Sequence, residues 1–532
     1  MKLSISLAIL AVGSVSFAQS VGAAATPSAN ENYEQALALE KKGDTVAAIE
    51  AIKKSIEASP DYLPAHEEYR KLVSKNETGK DWQKAYDEDK KILLAQYSVW
   101  LKEFPQSACV EYGMAETFGE DPGAKPYLLK AVELNPKLAP AYEDLSLDAE
   151  RAGNLPASRE YMKKASEAAP DDPSYSFYYA FSLQQVDNER FMQLALDVAK
   201  RFPTSERGAQ ALYWLGEDST SDSDKIKYWE QDRHDFPPTK FNWSAGAMDG
   251  LFDVYARTSP DKAVALATEM KANAKDDESK TWANNLTFAQ NLVQVNQLLD
   301  QKEYAQAKQL LDSTKISRYS SDAEDFALLK AKADSASGDT KTGYDLLLTR
   351  FAKAPEDAVH TALVGYGANM GKTESQVDSD VWALRDQAAK PAPAFDLDMY
   401  LKPGKRSLRD YHGKVVLLTF WFPGCGPCRG EFPHFENVLK KFNGQPVDYV
   451  GVNVVLTQDD YVKSFIKGTR YTFTPLRSKN TETDYKVRGE PTNFLIDQNG
   501  RIVYTDFRAS DPKSERSLQL MIQSLLDHKV GS

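Results

Sequence analysis

The strongest constraint on this chain is a spacing. Pro136, Pro170, Pro203 and Pro237 follow one another at intervals of 34, 33 and 34 residues, each closing a segment whose alanines and aromatics recur at helical intervals. Proline lacks an amide donor and its ring clashes with a preceding helical turn, so it stands where a helix has stopped. A second spacing runs inside the first. Gly43, Gly153 and Gly338 precede Pro60, Pro170 and Pro355 by 17 residues, and an Asp or Asn follows each glycine. The pair of signals describes a turn between the two helices of a hairpin and then the proline that ends the second helix. From about Glu31 to Arg385 the chain is therefore expected to be helical almost throughout, as a stack of hairpins that bury their apolar faces on their neighbours.

A period of 34 residues is that of the tetratricopeptide repeat. In the stretch Tyr142–Pro170 the small and large positions of that family can be placed on Tyr142, Leu145, Ser146, Gly153, Ser158, Met162, Ala165 and Pro170. Ser158 stands where the family favours alanine, and the segment around Pro105 is out of period, so the resemblance covers about three units and several degenerate ones. It implies an all-α solenoid with a concave groove. That array reads either as a spacer or as a groove for an extended peptide or partner protein. The aromatics Tyr213, Trp214, Tyr228, Trp229, Phe241 and Trp243 could line such a groove, although aromatics at helical spacing are more often core.

The chemistry lies elsewhere. Residues Phe420 to Phe435 hold two of the three cysteines, Cys425 and Cys428. The apolar run Lys414 to Trp421 before them has the pattern of a strand buried on both faces, and the residues from Arg429 to Phe442 repeat at helical spacing. Cys425 is thus expected where a strand hands over to a helix, and there the unpaired N–H groups and positive dipole end stabilise a thiolate. Cys428 falls on the same helical face one turn on, within reach of a disulfide. A zinc site would need further ligands at matching spacing, and only Cys109 and scattered histidines remain. Cys109 reads as a buried apolar residue.

Lys414 to Pro433, with Cys-Gly-Pro-Cys and a proline five residues after the second cysteine, resembles the active-site segment of the thioredoxin superfamily. Val487 to Val503 resembles its second half, in which a cis-proline, here Pro491, faces the cysteine pair. The opening Pro393-Ala-Phe-Asp-Leu, then Ser407 to Val416, and a long insertion around Tyr461–Arg477 are similar to the TlpA/ResA type of exported thiol-disulfide reductases. The resemblance covers roughly residues 390 to 532. It implies an α/β thioredoxin fold with a central mixed sheet flanked by helices, and Cys425 and Cys428 as the catalytic pair. The Gly-Pro dipeptide is that of reducing thioredoxins, at about −270 mV against about −120 mV for a strong oxidant such as DsbA. A reductant in an oxidising compartment implies a membrane electron donor, and its partners are disulfide-containing client proteins. Two departures bear on the site. Gly424 stands where the family has Trp, and Thr419 where cytosolic thioredoxins bury an Asp that accepts the proton of the second cysteine. Glu431 and Glu490 are the supporting candidates for that base, beside Pro491.

The expected organisation is a signal peptide over 1–25, a repeat region over 26–388, a short two-proline linker over 389–393 and a thioredoxin-like domain over 394–532. The leader reading comes from Met1-Lys2, an apolar run to Ala18 and small residues to Ala25, with cleavage after Ala18 or Ala25, or retention as an uncleaved helix since the run is near the lower length limit for spanning, and export to the periplasm or its equivalent. The net charge of −12, without clustered Lys and Arg, argues against nucleic acid as a partner. No cofactor is expected. Two alternatives stand beside the exported oxidoreductase. A peroxiredoxin-like peroxidase needs Thr or Ser three residues before its cysteine, where this chain has Phe422. A repeat scaffold with a vestigial redox domain has no need of both cysteines.

Overall fold

The computed structural model describes residues 25–74, 82–315 and 323–528. The expected leader thus lies outside the described residues apart from Ala25. The chain forms two compact units. One comprises the described residues of Met1–Asn188 together with Phe422–Pro427 and Asn453–Tyr471; the other comprises the described residues of Glu189–Trp421, Cys428–Val452 and Thr472–Ser532.

The first unit is helical. Its hairpin turns are built as the glycine and proline spacings require. Gly43 and Gly153 hold φ of +80° and +74°, conformations that cost an L side chain but not glycine. Gly43 lies between the helices Pro27–Lys41 and Thr45–Ala58, and Gly153 between Ala139–Arg151 and Leu155–Ala168. The residue after each glycine caps the second helix: the side chains of Asp44 and Asn154 accept hydrogen bonds from the amides of Ala47 and Ala157. This satisfies one of the four amides left without a partner at a helix start. Pro60 and Pro170 each stand two residues beyond the end of the second helix. The buried face is small and aromatic residues in alternation, with Tyr69, Tyr97 and Trp100 packed edge to face at 5.1–6.1 Å. Cys109 lies fully buried here as a free thiol, its Sγ donating to the carbonyl of Asp61, and burial pushes its pKa far up.

In the second unit the helices from Glu206–Glu217 to Glu374–Ala388 lead into an eight-stranded sheet. Gly338, at φ +91°, repeats the device, with Asp339 capping Thr340–Lys353. Tyr228 and Trp229 are core, and the exposed part of the aromatic run is small: Tyr213 packs against that core and meets the Trp243 ring at 5.2 Å. The strands are β1 Lys390–Pro391, β2 Asp396–Met399, β3 Lys405–Ser407, β4 Val415–Trp421, β5 Val447–Asn453, β6 Thr474–Arg477, β7 Thr492–Ile496 and β8 Arg501–Thr505. Their order across the sheet is β1-β8-β7-β4-β5-β6-β2-β3. Lys390 and Pro391, within the stretch read as a linker, pair antiparallel with β8. Proline is tolerated there because β1 is an edge strand and needs no donor on its open side. β4 lies at the centre, all seven residues buried, antiparallel to β7 with Thr419 opposite Asn493. The helix Gly426–Lys440 connects β4 to β5, its neighbour. This is a thioredoxin fold.

Candidate active site

β4 is apolar on both faces and leaves the sheet at Trp421. Phe422, Pro423 and Gly424 then turn the chain, the amide of Cys425 donating to the carbonyl of Phe422 at 3.0 Å. Cys425 is the last residue before the helix Gly426–Lys440, so its sulfur stands at a helix N-terminus, where donors and dipole favour negative charge. It is 3% exposed and Cys428 is 0% exposed. The two are disulfide-bonded, leaving Cys109 as the free cysteine among the described residues.

Gly424 has a physical reason. Its amide donates to Oε1 of Gln458 at 2.7 Å, and a Cβ at this position would lie 2.9 Å and 3.0 Å from the two ends of the Gln458 amide. No larger residue fits without displacing that side chain. Gln458 is absent from the sequence-based site. It belongs to the insertion between β5 and β6, and nothing in its neighbours marks it.

Beyond the second cysteine, helical spacing puts Glu431 on the face of Cys428. The carboxylate is buried at 5% exposure, accepting from Nδ2 of Asn493 at 2.8 Å and from Nη1 of Arg508 at 3.2 Å. Burial raises its pKa, while Arg508 and Asn493 pull it back. Asn493 also donates to the carbonyl of Phe507 at 3.2 Å. Thr419, its cross-strand partner, has its hydroxyl buried without a hydrogen-bond partner among the described residues. Asn493 lies inside the recognised second-half motif, but only the fold shows that it reaches Glu431, and Arg508 lies past the motif altogether.

The peptide bond between Glu490 and Pro491 is cis. Pro491 is buried and leads directly into β7, and Glu490 is half-buried. Burial also raises the Glu490 pKa, with the charge of Glu482 adding to it. Of the two candidate bases, Glu431 has the polar partners of a held carboxylate, and the ionisable neighbour of Glu490 is another acid. Among the described residues no group of three or more His, Cys, Asp or Glu could hold a metal ion.

The profile of the redoxin family matches residues 387–520. The thioredoxin-like protein YneN of Bacillus subtilis is 35% identical over 144 residues, which is 26% of this chain and 81% of that protein. The chain belongs to the redoxin family. The thiol-disulfide oxidoreductase ResA of Bacillus subtilis is 36% identical to it over 127 residues, 23% of this chain and 70% of ResA. Among solved structures, the thioredoxin domain of a thiol-disulfide oxidoreductase from Bacteroides vulgatus is 27% identical, covering 25% of this chain and 96% of that domain, with a TM-score of 0.23. The redoxin match begins in the last helix before the sheet and leaves out the helical region ahead of it. That region is consistent with repeats. In enzyme class the redoxin is a thioredoxin-like thiol-disulfide oxidoreductase.

Proposed function

We propose that this redoxin is an exported reductant of client protein disulfides, in which Cys425 attacks, Cys428 resolves and Glu431 takes the proton of Cys428. The single observation that carries the reading is the bonded Cys425 and Cys428 pair at a strand-to-helix junction, with a buried, hydrogen-bonded carboxylate one turn further along the helix. In the reduced enzyme the Cys425 thiolate attacks one sulfur of a client disulfide and expels the other as a thiolate. The Cys428 thiol, its proton passing to Glu431, then attacks the Cys425 sulfur. The second client thiolate leaves, and the enzyme keeps the disulfide. Two electrons pass to the client, and a membrane-held dithiol donor returns them.

Export rests on the leader-like N-terminus. Among the described residues no helix is long and apolar enough to cross a membrane. The helical array is the proposed element for positioning clients or partners, and the domain boundaries near 388 and 394 belong to the same proposal.

The test is reduction of insulin disulfides with dithiothreitol as donor. Cys425→Ser should abolish it, and Cys428→Ser should accumulate mixed disulfides through Cys425. Mass spectrometry of those adducts from the exported fraction names the clients. A wild type that reduces nothing, with a serine variant indistinguishable from it, overturns the reading.

A further inference from the structure

Gln458 is 2% exposed, and both ends of its amide are used. Oε1 accepts from the amide of Gly424, the residue next to Cys425, at 2.7 Å, and Nε2 donates to Oε2 of Glu120 at 2.6 Å. The orientation is forced, because a backbone N–H can only donate and a carboxylate can only accept. Glu120 is reached from the N-terminal helices, just past Ala108–Phe118, and its other oxygen lies 3.4 Å from Arg151. A single amide therefore links an acid of the helical region to the turn that carries the nucleophile.

The ground under this link is close-packed. The helix Asp459–Thr469, which follows Gln458, sits backbone to backbone on the hairpin turn at Gly153. A Cβ on Gly153 would stand 2.5 Å from the carbonyl oxygen of Phe465, and one on Gly468 would stand 2.6 Å from the carbonyl oxygen of Gly153. Beside it the Tyr461 hydroxyl donates to Oδ1 of Asp148 at 2.8 Å, while Lys125 meets Oδ2 at 2.9 Å. Glu120 and Gln458 are thus held from both sides, and a charged acceptor on one end of an amide strengthens the acceptor at the other.

We propose that Gln458 is a positioning residue for thiol exchange, holding the Gly424 turn under Cys425 and taking its own orientation from Glu120 of the helical region. The inference rests on the reading of Cys425 as the attacking thiol. With the Gly424 amide tied to Gln458, Cys425 stays at the end of the helix Gly426–Lys440, in line with the donors that favour its thiolate. Once released, the turn samples positions away from those donors. Glu120 of the helical region thereby acts on the Gly424 turn through Gln458, whose amide fills the space that a side chain at position 424 would need.

The experiment uses the full chain and reads the thiolate absorbance titration of Cys425 in the reduced protein beside the insulin rate at neutral pH. Gln458→Leu should move the titration to higher pH and lower the rate about tenfold, the equivalent of one buried hydrogen bond. Glu120→Ala, at an exposed position that folding tolerates, should shift both readings in the same direction by less. Glu120→Gln keeps an acceptor oxygen and should restore most of the loss. Adding Glu120→Ala to Gln458→Leu should cost nothing more, since both cut one link. A merely structural Gln458 would lower thermal stability and leave the titration in place. Titrations of Gln458→Leu and Glu120→Ala that superimpose on an active wild type overturn the proposal, whereas a wild type without insulin activity overturns the reading of Cys425 instead.

Discussion

At the level of single residues, two buried polar groups near the cysteines should respond to substitution in opposite ways. Thr419 is an orphan: its hydroxyl is buried without a partner among the described residues, so it costs desolvation and returns no bond. Thr419→Val keeps the shape and should leave thermal stability unchanged or raise it by about 1 kcal/mol, measured as a urea or thermal midpoint. Glu431 is partnered on both oxygens, and its proposed work is to receive a proton from Cys428. Glu431→Gln should slow the resolving step by about 100-fold, within the range of a positioned base, so that mixed disulfide persists in stopped-flow quench experiments while attack by Cys425 is unaffected. The same variant has a pH signature. Burial holds the folded-state pKa of Glu431 above its ordinary value, so its contribution to stability is full below that ordinary value and fades as pH rises through the raised one. The stability of the wild type relative to Glu431→Gln should therefore fall with rising pH across that window. A gap that is flat with pH would place the Glu431 pKa at its ordinary value. Both cysteines and Glu431 were legible in the sequence, because local spacing around one strand-to-helix junction places them. Asn493 and Arg508 were not, since only the β4 to β7 register and the chain beyond β8 bring them to the carboxylate.

Elements tell a similar story at longer range. The hairpin turns could be read because glycine, cap and proline are all local signals, and Gly43, Gly153 and Gly338 each take the left-handed conformation the pattern asks for. The second task of Gly153 could not be read. Its contact with the insertion helix joins residues more than three hundred positions apart, as do the bonds from Tyr461 to Asp148 and from Gln458 to Glu120 at separations of 313 and 338. No periodicity spans such a distance. The three glycines make an internal control, because a Cβ on Gly43 or Gly338 would meet nothing within 4 Å. Gly43→Ala and Gly338→Ala should each cost about 1–2 kcal/mol, the penalty of left-handed backbone for an L residue. Gly153→Ala carries the same penalty plus a clash with the Phe465 carbonyl, about 1–3 kcal/mol more. Equal losses in chemical denaturation at all three sites would mean that the insertion helix does not bear on the turn.

On the scale of the whole molecule, the family resemblance, the order of helical region before sheet and the redox chemistry were all legible, and the way helices meet sheet was not. A two-proline stretch reads as a linker because proline excludes helix and central strand alike, but at a sheet edge neither exclusion applies, and Lys390 and Pro391 pair with β8. The decisive side chain at that join is Arg385, in the last helix before the sheet. It is 4% exposed, and it donates from Nε to the carbonyl of Ala352 at 3.2 Å and from Nη2 to that of Phe351 at 3.3 Å. Those carbonyls lie in the last turn of Thr340–Lys353, where a helix leaves acceptors unpaired and carries partial negative charge. The guanidinium also stands 5.3 Å from the ring centre of Tyr504 on β8, so one cation ties a helix end to the sheet. Burial lowers its pKa, but arginine stays charged. Arg385→Met keeps most of the apolar stem and removes the donors, leaving two buried carbonyls without them, and should cost about 2–3 kcal/mol. Helix end and sheet belong to one compact unit, so the far-UV circular dichroism transition and the loss of insulin reduction on heating should shift down together. A fall in the helical signal with the activity midpoint unmoved would mean that the last helices unfold apart from the redoxin sheet and that Arg385 does not couple them.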